Sequence, residues 1–415
     1  MTVFQKSFGC RLNQAEGQQI EAAFEAAGFE RVTFGVPADV IIINSCAVTQ
    51  KAETDSLKCL RHFRLTQPDA CIVLTGCAAK TCGTDATDGI ADIIVPHSRK
   101  EKLLATVMRH LGKKTPKATQ APGMPRTQRA LLKVQDGCAF ACAYCVVPFA
   151  RGNVSRSRPM DECLAEARTR IEEGFQEIIV TGCNTACYDD NGHTLIDLLR
   201  KLLALPGLGR LRLSSIEPAT LERDLVTLMR DNPKLCPFLH LPIQSGDDAT
   251  LRRMRRRYNT ATVKRFLDYA YQLMPDLSIG SDIIAGFPGE TDEAYANTHA
   301  LIQIYPFSSL HVFPYSERPH TPAITLPDPV PLFLRRRRTR HLISLADAQR
   351  QAYATRFIGT PVTLLVESYD PNGNACGWTA EHLPAAVSGV PPDLRRTLLT
   401  FTPTALSDGT LTGTC

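Results

Sequence analysis

At 415 residues the chain has material for two or three domains with buried cores. Its 44% hydrophobic and 21% charged residues are ordinary for a soluble globular protein, and a net charge of +5 says little about partners. No apolar run reaches the roughly 18 residues of a membrane span, and MTVFQKSFGC lacks the apolar block of a secretion signal, so a cytoplasmic, non-membrane protein is expected. Fifteen cysteines without such a signal point away from disulfides and toward metal binding or catalysis.

Residues 1–112 alternate Val/Ile-rich runs (VFQKSFG, DVIIINS, CIVLTG) with helical stretches such as QQIEAAFEAAGF. That rhythm predicts a parallel α/β domain. Cys10, Cys46 and Cys77 each close a strand-like run after a small residue. Open parallel sheets bind ligands outside the carboxyl ends of their strands, so three thiolates can meet at one edge and hold a metal cluster. Simple burial is the alternative for each taken singly. Residues 113–128, rich in Lys, Thr and Pro, read as a linker.

From 129 to 352 six strand candidates begin near 131, 177, 211, 238, 277 and 309. The helical patterns between them include DECLAEARTRIEE, where Leu164, Ala167 and Ile171 share a face. This predicts a complete or partial (β/α) barrel, a fold that places its chemistry just after its strands. Directly after the first strand stands Cys138-x3-Cys142-x2-Cys145. Clusters of iron and sulfur usually take four thiolates. Three in one loop leave an iron able to chelate the amino and carboxylate groups of S-adenosylmethionine and to cleave it to a 5′-deoxyadenosyl radical. A structural zinc loop is the competing reading, but zinc sites usually pair their ligands in a second knuckle, and none follows here.

Arginines crowd at LRRMRRRY (251–258) and LRRRRTR (334–340). Arg252, Arg253, Arg255, Arg256, Arg257, Arg335, Arg336, Arg337 and Arg338 are candidate phosphate contacts for RNA, with solvated helix faces as the alternative. From 355 to 415 short β-like runs broken by DPNGN and SDG predict a small antiparallel β domain, in which Trp378 can stack a base.

At these residues the sequence resembles the methylthiotransferase family of radical S-adenosylmethionine enzymes over nearly its whole length. SFGCRLNQAEG, NSCAVTQKAE, KVQDGCAFACAYCVVPFARG, RLSSIEP, FLHLPIQSGDDATLRRMRRRY, SDIIAGFPGET and HVFPYSERPHTPA carry the likeness. RLSSIEP in particular is similar to the branch acting on N6-threonylcarbamoyladenosine in tRNA. The branches acting on isopentenyladenosine, or on a ribosomal protein aspartate, are the nearer alternatives, and a zinc-dependent RNA-binding module the remoter one. The resemblance implies an auxiliary 4Fe-4S cluster on Cys10, Cys46 and Cys77, and a radical 4Fe-4S cluster on Cys138, Cys142 and Cys145. It also implies S-adenosylmethionine, a TRAM-like RNA-binding domain at the carboxyl end, tRNA as partner and a flavodoxin- or ferredoxin-type electron donor.

Barrel logic then nominates Thr181, Gly182, Ser214, Ser215, Glu217, Gln244 and Ser245 at strand ends for S-adenosylmethionine, with turn formation as the alternative. Tyr144 can pack on the adenine or fill core space, and Arg151 can meet a carboxylate or a phosphate. The sequence departs from the family pattern at Cys183 and Cys187, at His320 where glycine is usual, and at His382 where tyrosine is usual.

Overall fold

The structure, a computed structural model, describes residues 1–83, 86–114 and 127–415. Residues 115–126 of the expected linker lie outside that set. Two compact units are present. The first comprises Met1–Arg126, Asp136–Arg156 and Ser316–Ile324; the second comprises Thr127–Gln135, Ser157–Tyr315 and Thr325–Cys415. The radical-type cysteine loop therefore groups with the amino-terminal cysteines rather than with the barrel strands that flank it in sequence. No helix among the described residues is long and apolar enough to cross a membrane.

The first unit is built on five parallel strands: Glu30–Arg31, Thr2–Ser7, Val40–Ser45, Cys71–Gly76 and Ile93–Pro96, in that spatial order. VIIINS and CIVLTG are buried at every position, as strands covered on both faces must be. Val40, Ile42 and Val73 pack on one side with Ile20, Phe24 and Val107; Ile41, Ile43 and Leu74 pack on the other with Leu60 and Phe63.

In the second unit two three-stranded parallel sheets carry the six barrel strands. One holds Ala130–Lys133, Glu177–Thr181 and Arg210–Leu213; the other holds Phe238–His240, Ser278–Ala285 and Ser309–Pro314. Isolated parallel bridges, Leu211 to Leu235 and Ser215 to His240, join the two. Alternation decides which way each side chain points. Ile178, Val180, Leu211, Leu213, Leu239, Ile279, Ile283 and Val312 belong to the core shared with the helices. Their sequence neighbours Glu177, Arg210, Arg212, His240, Asp282 and His311 therefore face the barrel lumen.

Val362–Tyr369, Ala375–Thr379, Pro384–Ser388, Leu398–Phe401, Ala405–Ser407 and Thr410–Thr414 form a six-stranded carboxy-terminal sheet. Its pairs are antiparallel except Pro384–Ser388 with Thr410–Thr414, which run parallel. Arg210 donates to the carbonyls of Thr363 and Trp378, and Arg212 to those of Thr379 and Ala380. Both arginines also bond Glu177, which is fully buried. Burial pushes the Glu177 carboxyl up, but the Arg212 and Arg210 charges more than reverse this and hold it at about 2.

A carboxyl depressed in the folded state stabilises the fold above its unfolded pKa of about 4.3, and that stabilisation is lost as pH falls toward the folded value. Glu177→Gln leaves two buried guanidiniums short of an anion. It is expected to cost about 3–5 kcal/mol, read as a lowered melting temperature at pH 7 and a flatter melting profile between pH 5 and pH 2 in the same buffer series.

Candidate functional site: two cysteine triads in one unit

Cys46 and Cys77 directly follow the third and fourth strands in chain order, Val40–Ser45 and Cys71–Gly76, and Cys10 lies three residues beyond Thr2–Ser7. Because the strands are parallel and adjacent, all three emerge at the same sheet edge. Asn13 pins that edge: its side-chain amide donates to the carbonyls of Phe8, Asn44 and Ser45 at 2.8, 3.0 and 2.9 Å. Gly9 has φ +86°, and a Cβ there would lie 2.3 Å from Cys46 Sγ. Only glycine lets the two segments approach so closely.

The thiols sense one another. Burial, then the charge of Cys10, then that of Cys77 push the Cys46 thiol up to about 11, against the Val48 N–H that donates to its sulfur at 3.4 Å. Cys10 keeps solvent access, yet surrounding protein atoms raise its thiol pKa, with the Arg151 charge opposing. A raised thiol pKa, as at Cys10 and Cys46, makes a poor ligand until a nearby positive charge offsets that of the thiolate. A bound metal supplies that charge and deprotonates a coordinating thiol outright. An all-sulfur donor set of this kind suits iron–sulfur or zinc chemistry and not a hard cation.

The second triad lies in the loop after Gln135. Gly137, with φ +71°, would place a Cβ 2.2 Å from the Val154 carbonyl, so the tight turn into Cys138 also needs glycine. The Cys138 N–H donates to Gly152 O at 3.2 Å, and that of Cys145 to Cys142 O at 3.1 Å, which folds the three cysteines into one compact loop. Val146 and Ala150, in and beside the short helix Val147–Arg151, pack directly against Ala47, Cys77 and Ala78. Phe149 stacks on His320 with centroids 4.0 Å apart. His320 holds φ +67°, which accounts for the glycine usual at that position. Tyr144 is half-buried.

Arg151, six residues past Cys145, reaches the first triad. Its side chain is 2% exposed and donates to Cys77 Sγ at 3.2 Å, to both Glu16 oxygens at 2.8 and 3.0 Å, to Asp136 at 3.2 Å and to Asn13 at 3.1 Å. Lys100 donates to Glu16 and to Asn44 Oδ1 at 2.6 and 3.0 Å. His97 Nε2 lies 2.9 Å from Asp136, and burial lowers the His97 pKa in spite of that bond. Arg151 thus meets carboxylates rather than a phosphate. Asn13, Glu16, His97, Lys100 and Asp136 were not legible as site residues. The one available signal was Glu16 on the helical face that also carries Leu12 and Ile20.

Thr181 and Gly182, Ser214 and Ser215, and Gln244 and Ser245 stand at the carboxyl ends of three neighbouring barrel strands, in the second unit. Ser214 Oγ and Asn184 Oδ1 are buried and lack a hydrogen-bond partner among the described residues. Buried polar atoms are normally paired, so these two suit a ligand's polar groups. Gln244 sits at φ +69°, a strained conformation for a non-glycine residue and a frequent mark of ligand sites. Glu217 is taken by Arg256, at 2.7 Å to each carboxylate oxygen.

The arginine runs divide. Arg256 is bonded to Glu217, and its side chain is 3% exposed. Arg253 donates to Pro288 O and Pro327 O, Arg335 to Val330 O and Tyr315 O, and Arg338 to Glu290 and Asp292. Arg253 and Arg338 bond the GFPGE turn and Arg335 packs on its Gly286; the buried guanidiniums of Arg256, Arg335 and Arg338 are internal ties rather than the expected phosphate contacts, while Arg253 keeps part of its side chain at the surface. Arg252, Arg255, Arg257, Arg336 and Arg337 remain exposed. Trp378 is half-buried and stacks on His382 at 4.5 Å.

The radical SAM superfamily model matches residues 132–302, and the uncharacterized protein family UPF0004 matches residues 2–95. The threonylcarbamoyladenosine tRNA methylthiotransferase MtaB of Bacillus subtilis is 34% identical, covering 88% of this chain and 85% of the relative. Its namesake in Thermotoga maritima is 34% identical, covering 91% and 89%. The tRNA-2-methylthio-N(6)-dimethylallyladenosine synthase of Cereibacter sphaeroides is 33% identical, covering 88% and 87%. Among solved structures, the radical S-adenosylmethionine methyltransferase TsrM of Kitasatospora setae shares the fold, with TM-score 0.60, 15% identity and coverage of 78% of this chain and 75% of that one.

Proposed function

The chain belongs to the methylthiotransferase family of radical S-adenosylmethionine enzymes, and on that footing we propose that it places a methylthio group on carbon 2 of N6-threonylcarbamoyladenosine in tRNA. It is a radical S-adenosylmethionine methylthiotransferase of the tRNA-modifying kind, using S-adenosylmethionine and 4Fe-4S chemistry. In this proposal Cys10, Cys46 and Cys77 hold the auxiliary cluster, and Cys138, Cys142 and Cys145 the radical cluster. When bound, these groups supply reductive cleavage of S-adenosylmethionine and the sulfur to be transferred.

The observation that carries this reading is that both cysteine triads fall in one compact unit, in which Arg151 bonds Cys77. Insertion of sulfur at an unactivated ring carbon needs a radical source and a sulfur source held in fixed relation, and a buried arginine bonded to one triad and six residues past the other provides rigidity. Glu16, Asp136 and Asn13 in turn hold Arg151. On the barrel rim, the unpartnered Ser214 and Asn184 and the strained Gln244 support the reading, as polar groups suited to S-adenosylmethionine. Exposed Arg252, Arg255, Arg257, Arg336 and Arg337 offer charge to tRNA phosphates, and Trp378 a surface for stacking. A flavodoxin- or ferredoxin-type protein is the expected electron source.

Nucleoside mass spectrometry on tRNA from a strain lacking the gene tests the substrate. The 2-methylthio derivative of threonylcarbamoyladenosine should disappear and return on complementation. Disappearance of the methylthio dimethylallyl nucleoside instead would transfer the assignment to that branch.

A further inference from the structure

We propose that the outer face of the helix Leu332–Thr355 is an RNA contact surface. Phe333 stacks an unpaired base there, and Arg336, Arg337 and Arg340 take the flanking phosphates. With tRNA as the substrate of the proposed function, on which this inference rests, the contact lies on the barrel's own helices and not only in the carboxy-terminal domain.

The helix starts at the barrel rim. A Cβ at Gly286, in the turn that directly follows the strand Ser278–Ala285, would lie 2.4 Å from Arg335 Cγ. Barrels carry out their chemistry at that end of their strands. From there the 24 residues of the helix extend roughly 36 Å, at about 1.5 Å per residue, before the carboxy-terminal sheet begins at Val362.

Phe333 is 69% exposed, and Arg336, Arg337 and Arg340 are exposed with it. At spacings of three, four and seven residues these arginines lie on the same side of the helix as Phe333. No Asp or Glu occurs between Val330 and Ala346, and among the described residues the three arginines form no ion pair. The flanking acids Asp292 and Asp328 are already bonded to Arg338 and Arg253. A helix dipole favours carboxylates near its start, and this helix has none in its first turn. Helix stability therefore does not account for the arginine run, whereas a polyanionic partner does. An exposed aromatic ring among solvent-facing guanidiniums is how proteins hold single-stranded nucleic acid, the ring taking the base and the charges the backbone.

Planar side chains continue the surface onto the helix Asp292–Ile304. Tyr295 Oη lies 2.5 Å from His341 Nδ1, and the His299 and His341 rings stack with centroids 4.9 Å apart. Burial, then the His341 charge, lower the His299 pKa, so at pH 7 that imidazole presents a neutral ring.

Anaerobic holoenzyme and fluorescein-labelled tRNA from the strain lacking the gene give the dissociation constant by anisotropy across a KCl series. Phe333→Ala should weaken binding about tenfold, the worth of one stacked base, with the slope of log K against log salt unchanged. Phe333→Tyr should restore the affinity. Glutamine at Arg336, Arg337 and Arg340 together should flatten that slope by about 2, at roughly 0.7 per phosphate on a single strand. A long, fully paired RNA duplex should bind wild-type and Phe333→Ala protein equally. Melting temperature and iron content should match wild type in every variant, since all four side chains are exposed. tRNA held as tightly by Phe333→Ala as by wild type, or a duplex weakened as much as tRNA, overturns this inference alone. Wild-type protein that binds no tRNA overturns the substrate reading with it.

Discussion

With alanine at Cys138, Cys142 and Cys145 together, the protein is expected to retain roughly half its iron and to lose S-adenosylmethionine cleavage below detection. The complementary replacement of Cys10, Cys46 and Cys77 should also retain roughly half, since two clusters of four irons are implied, but should keep cleavage and stop sulfur insertion. The asymmetry follows from placement. The Cys138 loop is one compact turn closed by its own backbone bonds, whereas the other thiols come from three strand ends set by the sheet. Each triad can therefore be emptied without dismantling the backbone that forms the other. The measurements are anaerobic iron and sulfide content and chromatography of 5′-deoxyadenosine. Cleavage that survives the loss of Cys138, Cys142 and Cys145 would refute their role.

The second large effect is expected at Arg151, a positioning residue. Arg151→Leu removes the donor to Cys77 and strips Glu16 of its bidentate partner; the Glu16 side chain is 2% exposed and keeps Lys100 as its close cation. Breaking a buried pair on one side costs about 3–5 kcal/mol, so the melting temperature should fall markedly. Arg151→Lys should recover part of the stability but not the whole network. A single ammonium cannot reproduce a planar fork that meets a sulfur, two carboxylates and an amide at once. If the network were merely structural, Arg151→Lys would melt lower but leave the EPR signature of the reduced auxiliary cluster unchanged. A positioning role requires that spectrum to change as well, even in a background lacking Cys138, Cys142 and Cys145.

Much of this architecture is legible in the sequence. All six barrel strands fall where their apolar runs were read, because burial on the helix side imposes Val, Ile and Leu at alternate positions. Cys10, Cys46 and Cys77 were readable as a set because parallel strands deliver their ends to one edge. What stayed hidden was pairing at long range. Glu16 finds Lys100 across 84 residues and Arg151 across 135, and nothing local in either segment encodes its partner. The arginine runs misled for a related reason: Arg335 and Arg338 differ from Arg336 and Arg337 only in which helix face meets the GFPGE turn.

Purified, anaerobically reconstituted enzyme given S-adenosylmethionine, a reductant and tRNA carrying N6-threonylcarbamoyladenosine tests the central claim most directly. Nucleoside mass spectrometry should find the 2-methylthio product with wild-type protein, and only unmodified substrate when either cysteine triad is replaced by alanine. Product formed without Cys10, Cys46 and Cys77, or none formed by a wild-type enzyme that holds both clusters and cleaves S-adenosylmethionine, would contradict the account.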